Sequence, residues 1–291
     1  MPSLADHQSN SFTKLLLLGD AKSGKTSALW SLVKAGYKLR ILDMDNLLDS
    51  LKEKLLKECK DKLGNVEYRT LRDKYKFLAD GSVVVDGQPK AFMDAMKMLD
   101  NWKYGDTDLG KPKEWGPDCI LVVDSLSRLC DAAYDFNAAM TKAGKSGEVD
   151  GRAIYGAAQD AVESVLANLT GDNFETNVIV ICHGVYMTLP DGQKIFPQGV
   201  GQKLSPKIPQ YFPVYVRFKN FAGTRTIQIT SDPTIDLALP KIEAFKDKTL
   251  PVETGLATIF DTLRGKSTPA IAEVKPASVV TKAPVSAIRR R

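Results

Sequence analysis

Histidine is nearly absent from this chain and cysteine is sparse, with two His and four Cys in 291 residues. Cys59, Cys119, Cys130 and Cys182 form no C-x-x-C pair, and only His7 and His183 offer imidazole, so neither a zinc site nor a disulfide framework is encoded. Buried, reduced thiols are the expectation. Long apolar runs are missing too: no stretch approaches the roughly 20 residues that a bilayer requires, and the opening MPSLADHQSNSF is polar, without a secretory pattern. The expected setting is cytoplasmic, with no membrane partner. Charge of one sign is confined to one end. The net charge is +5, but residues 264–291 carry seven Lys/Arg against one Glu, a surplus of +6 that leaves −1 for the remainder. The end of the chain also holds Pro269, Pro276 and Pro284 and no aromatic. Residues 265–291 therefore read as a basic disordered tail, either solvated or in weak contact with nucleic acid phosphates. Residues 1–12 read as a flexible N-terminus. With 43% hydrophobic residues, 13–264 suffice for one large core.

What the chain does have is concentrated in KLLLLGDAKSGKTSALWSLV. An apolar strand runs into Gly19-Asp20-Ala21-Lys22-Ser23-Gly24-Lys25-Thr26, a match to G-x-x-x-x-G-K-[ST] that with Ser27 forms the binding loop, and a helix of about Lys25 to Ala35 grows out of its end. Glycines at both ends let the backbone curl so that successive N–H groups and the helix N-terminus face an anion. Lys25 adds a mobile positive charge near the β and γ phosphates, and the Thr26 hydroxyl is placed to ligate Mg²⁺. Strand, loop and helix together predict a nucleoside triphosphate site with ATP and Mg²⁺ as cofactors.

Alternating strands and helices predict a mostly parallel α/β sheet. Lys38 to Leu42 reads as a strand ending at Asp43-Met44-Asp45, and Asn46 to Gly64 as one amphipathic helix with Gly64 as its C-cap. Val66 to Leu71 and Gly81 to Val85 read as strands, and Pro89 to Trp102 as a helix with an apolar stripe of Ala91, Met93, Met96 and Leu99. The run CILVVD is a central strand that delivers Asp124 to the carboxyl edge of the sheet, where such sheets bind ligands. Asp124 is a Mg²⁺ holder opposite Thr26 or, as an alternative, an N-cap of the next helix. Helices follow at about Ser127 to Met140 and Arg152 to Leu169, and the strand TNVIVICHG ends at His183, a γ-phosphate sensor or a structural imidazole. PVYVRFKN and TRTIQITSD around Phe221-Ala222-Gly223 form an edge hairpin, and the last helix packs through Leu256, Ile259, Phe260 and Leu263.

In this order the parts resemble the RecA-like P-loop ATPase superfamily, most closely its short phage-encoded annealing and recombination ATPases; GDAKSGKT and CILVVDS carry the resemblance, supported by LDMD, ICHG and AFKDKTLP. It implies that Asp45 of LDMD activates the attacking water, at a position where these proteins usually carry Glu, and that His183 stands where they commonly carry Gln. Asp43 and Asp45 fit capping of the following helix equally well. The resemblance also implies a DNA-binding loop after the His183 strand. Lys194, Lys203 and Lys207 with Phe196 become single-strand contacts there, and Lys142, Lys145 and Arg152 become a companion patch; a β-hairpin with solvated lysines is the other reading of this segment. Lys246 and Lys248 match a pair that reaches a neighbouring subunit's ATP site, or else form an exposed basic turn. The function implied is DNA-stimulated ATP hydrolysis by a ring or filament on single-stranded DNA, in recombination or strand annealing. A single-strand-binding protein is a further partner, and the location is host cytoplasm if the chain is phage-encoded. The rivals are a helicase or helicase-loader motor and a DNA-binding assembly switch with little hydrolysis.

Overall fold

The computed structural model describes residues 12–141, 150–190 and 192–265. In chain order the elements are β1 (Lys14–Gly19), α1 (Lys25–Ala28), α2 (Trp30–Lys34), β2 (Lys38–Asp43), α3 (Asp49–Glu58), β3 (Val66–Thr70), β4 (Tyr75–Phe77), β5 (Val83–Val85) and α4 (Ala91–Asp100). Then come β6 (Lys103–Tyr104), β7 (Thr107–Asp108), β8 (Gly116–Asp124), α5 (Leu126–Met140), α6 (Gly151–Thr170), β9 (Thr176–Cys182), β10 (Gly184–Leu189) and β11 (Gly192–Pro197). The series closes with α7 (Gly201–Leu204), β12 (Val214–Phe221), β13 (Thr224–Gln228), β14 (Thr249–Pro251) and α8 (Gly255–Leu263).

Eight strands make the central sheet in the order β14-β13-β12-β1-β9-β8-β2-β3. The pairs from β12 through β3 are parallel, and β13 and β14 add antiparallel at one edge. This is the mostly parallel α/β architecture with an antiparallel edge hairpin that the alternation of strands and helices predicts. Both faces are covered, which is why β1 is leucine at every position from Leu15 to Leu18: successive side chains point to opposite faces, and all four are fully buried. Leu16 and Leu18 join Leu121, Val123, Val178 and Val180 under α4, α5 and α6. Leu15 and Leu17 join Leu39, Ile41, Ile120 and Ile179 on the face covered by α1, α2, α3 and α8. Burying each such leucine contributes about 1.5–3 kcal/mol. Lys14 is the exception on β1. It is fully buried, donates to the carbonyls of Phe174 (2.6 Å) and Thr176 (2.8 Å), and burial pushes its ammonium down to about 7.

Several local expectations need correction. The helix expected through Gly64 stops at Glu58, because Cys59 leaves the helical region (φ −159°, ψ 57°) as its side chain enters the core; a 3-10 turn covers Lys60–Asn65, and Gly64 has no left-handed conformation to cap with. The buried stripe of α4 is Ala91, Phe92, Ala95 and Met98, with Met93 exposed. It is rotated from the expected stripe because Phe92 packs on Phe136 of α5, with ring centroids 6.0 Å apart. The Val83–Val85 strand lies outside the central sheet, paired with β4, a strand that its polar flanks concealed. The segment after His183 is not a long irregular loop. It is the β10–β11 hairpin followed by α7, tied down by Ile195, Val200, Leu204 and Ile208 in the core. The β12–β13 hairpin turns at Ala222 and Gly223 as expected, and α8 buries Leu256, Ile259 and Phe260, with Leu263 packed alongside.

Candidate nucleotide site

The parallel sheet brings the chemistry together at its carboxyl edge. β1, β9, β8 and β2 are consecutive neighbours, so the residues at their tips, Gly19, His183, Asp124 and Asp43 with Asp45, stand in a row although up to about 160 positions of sequence separate them.

The loop from Gly19 to Thr26 hangs on this edge. A Cβ on Gly19 would sit 2.6 Å from the Phe218 carbonyl oxygen of β12, so only glycine lets the strand end there. Lys22 (φ 62°) and Gly24 (φ 96°) take left-handed backbone, which curls the loop into α1. The first turn of that helix, Lys25, Thr26 and Ser27, has N–H groups without intrahelical acceptors, and Ser23 Oγ is buried without a hydrogen-bond partner. Lys25, only 5% exposed, folds back to donate to the carbonyls of Gly19 (2.7 Å) and Asp20 (2.8 Å). Burial lowers its pKa, against the opposing pull of Asp124. Asp20 and Ala21 are exposed. A concave array of free N–H groups, an orphaned hydroxyl and a buried ammonium suits a phosphate chain.

Beside the loop, the Thr26 hydroxyl donates to Asp124 Oδ2 at 2.6 Å. Burial pushes the Asp124 carboxyl up to about 6, with the Thr26 hydrogen bond pulling the other way. Keeping it ionised at neutral pH costs stability that a cation can offset. Hydroxyl and carboxylate oxygens are the donors a hard dication prefers. Among the described residues no group of three or more His, Cys, Asp or Glu could hold a metal by itself, so a dication here depends on phosphate and water for its remaining ligands. The capping role falls to Ser125 instead, whose Oγ accepts from the Arg128 N–H.

Neither Asp43 nor Asp45 caps α3, whose N-cap is Leu48 without a side-chain hydrogen bond, and the two carboxylates are placed differently. Asp43 is buried, accepts from Asn46 N (2.7 Å) and from the Thr70 hydroxyl (2.8 Å), and so fastens the turn after β2. Asp45 faces the site, 3.4 Å from Arg128 Nε and 3.7 Å from His183 Nε2. Burial opposes its ionisation, but its polar neighbours His183, Ser125 and Arg128 outweigh it and hold the carboxyl below the ordinary range. His183 is itself positioned by its backbone N–H, which donates to Ser127 Oγ at 3.1 Å. Arg128 and Ser127 touch Asp45 and His183, contacts that motif and spacing alone do not single out. Their signal is their place in the first turn of α5, directly behind Asp124.

The other residues expected at a site from sequence lie elsewhere. Lys246 and Lys248 are exposed in the bend before β14. Lys194 pairs with Asp236 (3.1 Å) and Lys207 with Glu163 (2.7 Å), Phe196 is half-buried on β11, and Lys203 on α7 and Arg152 on α6 are exposed. Lys142, Lys145 and the basic tail lie outside the described residues. The four cysteines are free and buried. Among the described residues no helix is long and apolar enough to cross a membrane.

No curated protein sequence matches the chain. Among solved structures it is similar to a prototypical ATPase from the type III secretion system of pathogenic bacteria, at 13% identity and a TM-score of 0.41, over 71% of this chain and 52% of that one. The chain thus spans about half the length of that ATPase. Residues 11–236, from before β1 to beyond β13, match the family model described as AAA domain. With its phosphate loop and the Asp124 strand tip inside that span, the chain belongs to the AAA domain family.

Proposed function

We propose that this protein is a RecA-like ATPase, residues 13–264 forming its ATPase domain, that hydrolyses ATP with Mg²⁺ and works on single-stranded DNA in recombination or strand annealing. The observation that carries the ATP part is the 2.6 Å contact between Thr26 Oγ1 and Asp124 Oδ2, which joins the phosphate loop to the carboxylate strand at one point. Bound there, Mg²⁺ would neutralise charge on the transferring phosphoryl group. Gly19 to Ser27 cradle the phosphates, Lys25 turns from its loop carbonyls toward them, and Thr26 and Asp124 hold the metal side. Asp45, kept ionised by Arg128 and His183, is too weak a base to strip a proton early and acts by orienting the attacking water. His183, bridging from β9 to Asp45, links that orientation to whatever occupies the γ position.

The DNA part rests on the exposed cations Arg152 and Lys203, with Phe196 on the adjoining hairpin. Lys194 and Lys207 would have to exchange carboxylate partners for phosphate. Exposed Lys246 and Lys248 fit a subunit contact in a ring or filament on the DNA. The test is single-strand binding across a salt series with ATP, ADP or no nucleotide. Tighter association with ATP that weakens steeply with salt is expected, and Arg152→Ala with Lys203→Ala should lower the salt slope by about one for each phosphate no longer neutralised. Absent or salt-insensitive binding would remove the DNA reading and leave the ATPase reading standing.

A further inference from the structure

Arg225 carries a positive charge to the phosphate loop from the flank opposite Asp124. It lies on β13, the antiparallel partner of β12, where it is paired with Asn220. β12 runs parallel to β1 and is in register with it from Leu15–Val214 to Gly19–Phe218. Where β1 ends and the loop begins, β12 continues through Lys219, Asn220 and Phe221 before turning back. The hairpin therefore overhangs the loop. Arg225 Cδ lies 3.2 Å, and Val252 Cγ1 3.4 Å, from the place a Cβ on Gly24 would occupy. The bare glycine is what admits the arginine stem.

Only the stem is engaged. The residue is exposed, and among the described residues its guanidinium has neither an acid nor a hydrogen-bond partner. Asp124 and Asp45 are on the other flank, Asp124 bound by Thr26 and Asp45 paired with Arg128 and His183, and Asp20 on the loop itself makes no ion pair with Arg225 among the described residues. A guanidinium whose stem lies against an N–H-lined loop and whose own donors are unpaired has phosphate oxygens as its natural partner, since its planar donors match them in pairs.

We propose that Arg225 is a second in-chain phosphate-binding cation of this site, gripping the nucleotide's phosphate chain across Gly24 from the side away from the metal. This rests on the loop being a triphosphate site, as proposed above. Because the residue is supplied by the same chain, its grip needs no neighbouring subunit, unlike the role expected of Lys246 and Lys248.

The experiment titrates ATP and inorganic tripolyphosphate, each with Mg²⁺, into full-length wild type, Arg225→Ala and Arg225→Lys, with melting temperature as the control for folding. Arg225→Ala should weaken both ligands about 10-fold or more, and Arg225→Lys should recover part of the loss because a point charge replaces a paired donor. Undiminished tripolyphosphate binding by Arg225→Ala overturns the proposal, including the case in which ATP alone weakens, since the contact would then be to the nucleoside. A wild-type chain that binds neither ligand sinks the triphosphate reading together with this one, whereas firm wild-type binding unchanged in Arg225→Ala sinks this one alone.

Discussion

Lys25→Ala should bind ATP at least about 100-fold more weakly than wild type, a loss of about 2.7 kcal/mol. The ammonium is buried, and its hydrogen-bond partners among the described residues are two carbonyls of its own loop, at 2.7 and 2.8 Å. Desolvation already disfavours its charge there, so a phosphate chain arriving at the loop meets a cation that gains by accepting it. Alanine removes the charge and leaves the N–H cradle. The substitution also takes away two hydrogen bonds at the end of β1, each worth about 1 kcal/mol, so a modest fall in melting temperature accompanies the loss. Equilibrium binding measured well below that temperature separates the two effects. Affinity within a few-fold of wild type would mean that the loop is not the triphosphate site.

Asp45→Asn should separate binding from turnover. The variant keeps the loop, Thr26 and Asp124 and should retain wild-type ATP affinity or exceed it slightly, because one negative charge leaves the neighbourhood of Lys25. Turnover should fall about 10²–10³-fold, within the range typical for a group that handles the proton or orientation of a nucleophile. The amide can still accept a hydrogen bond but no longer attracts Arg128 and His183 as a charge. Single-turnover hydrolysis with enzyme in excess reads the step directly. Unchanged hydrolysis would move the water-orienting role away from β2 and leave Asp45 only its ion pairs with Arg128 and His183.

The site is legible to the degree that its parts are contiguous in sequence. Gly19 to Thr26 spell the loop in eight residues, and Asp124 stands at the end of an apolar run that can only be a central strand. Asp45 and His183 stand out as the tips of neighbouring runs, but not their mutual contact, which depends on β9, β8 and β2 lying side by side. Arg225 leaves no local trace: it meets Gly24 only because strands about 200 positions apart pair in register. The same holds for the lysines singled out for DNA. Nothing near Lys207 announces Glu163, one helix earlier, as its partner, and nothing near Lys194 announces Asp236. The rotated stripe of α4 has a similar origin, since the packing of Phe92 on Phe136 decides which face turns inward and a single helix's periodicity admits both.

The central claim is that one magnesium–triphosphate site spans the phosphate loop and the tip of β8. Its most direct test is the gain in ATP affinity on adding Mg²⁺, measured by calorimetry for wild type and for Asp124→Asn at neutral pH. Wild type should show a clear Mg²⁺-dependent gain, and Asp124→Asn, stably folded with its loop intact, should show little or none. An equal gain in both proteins would place the metal away from Asp124 and contradict the joining of Thr26 and Asp124 into a single site.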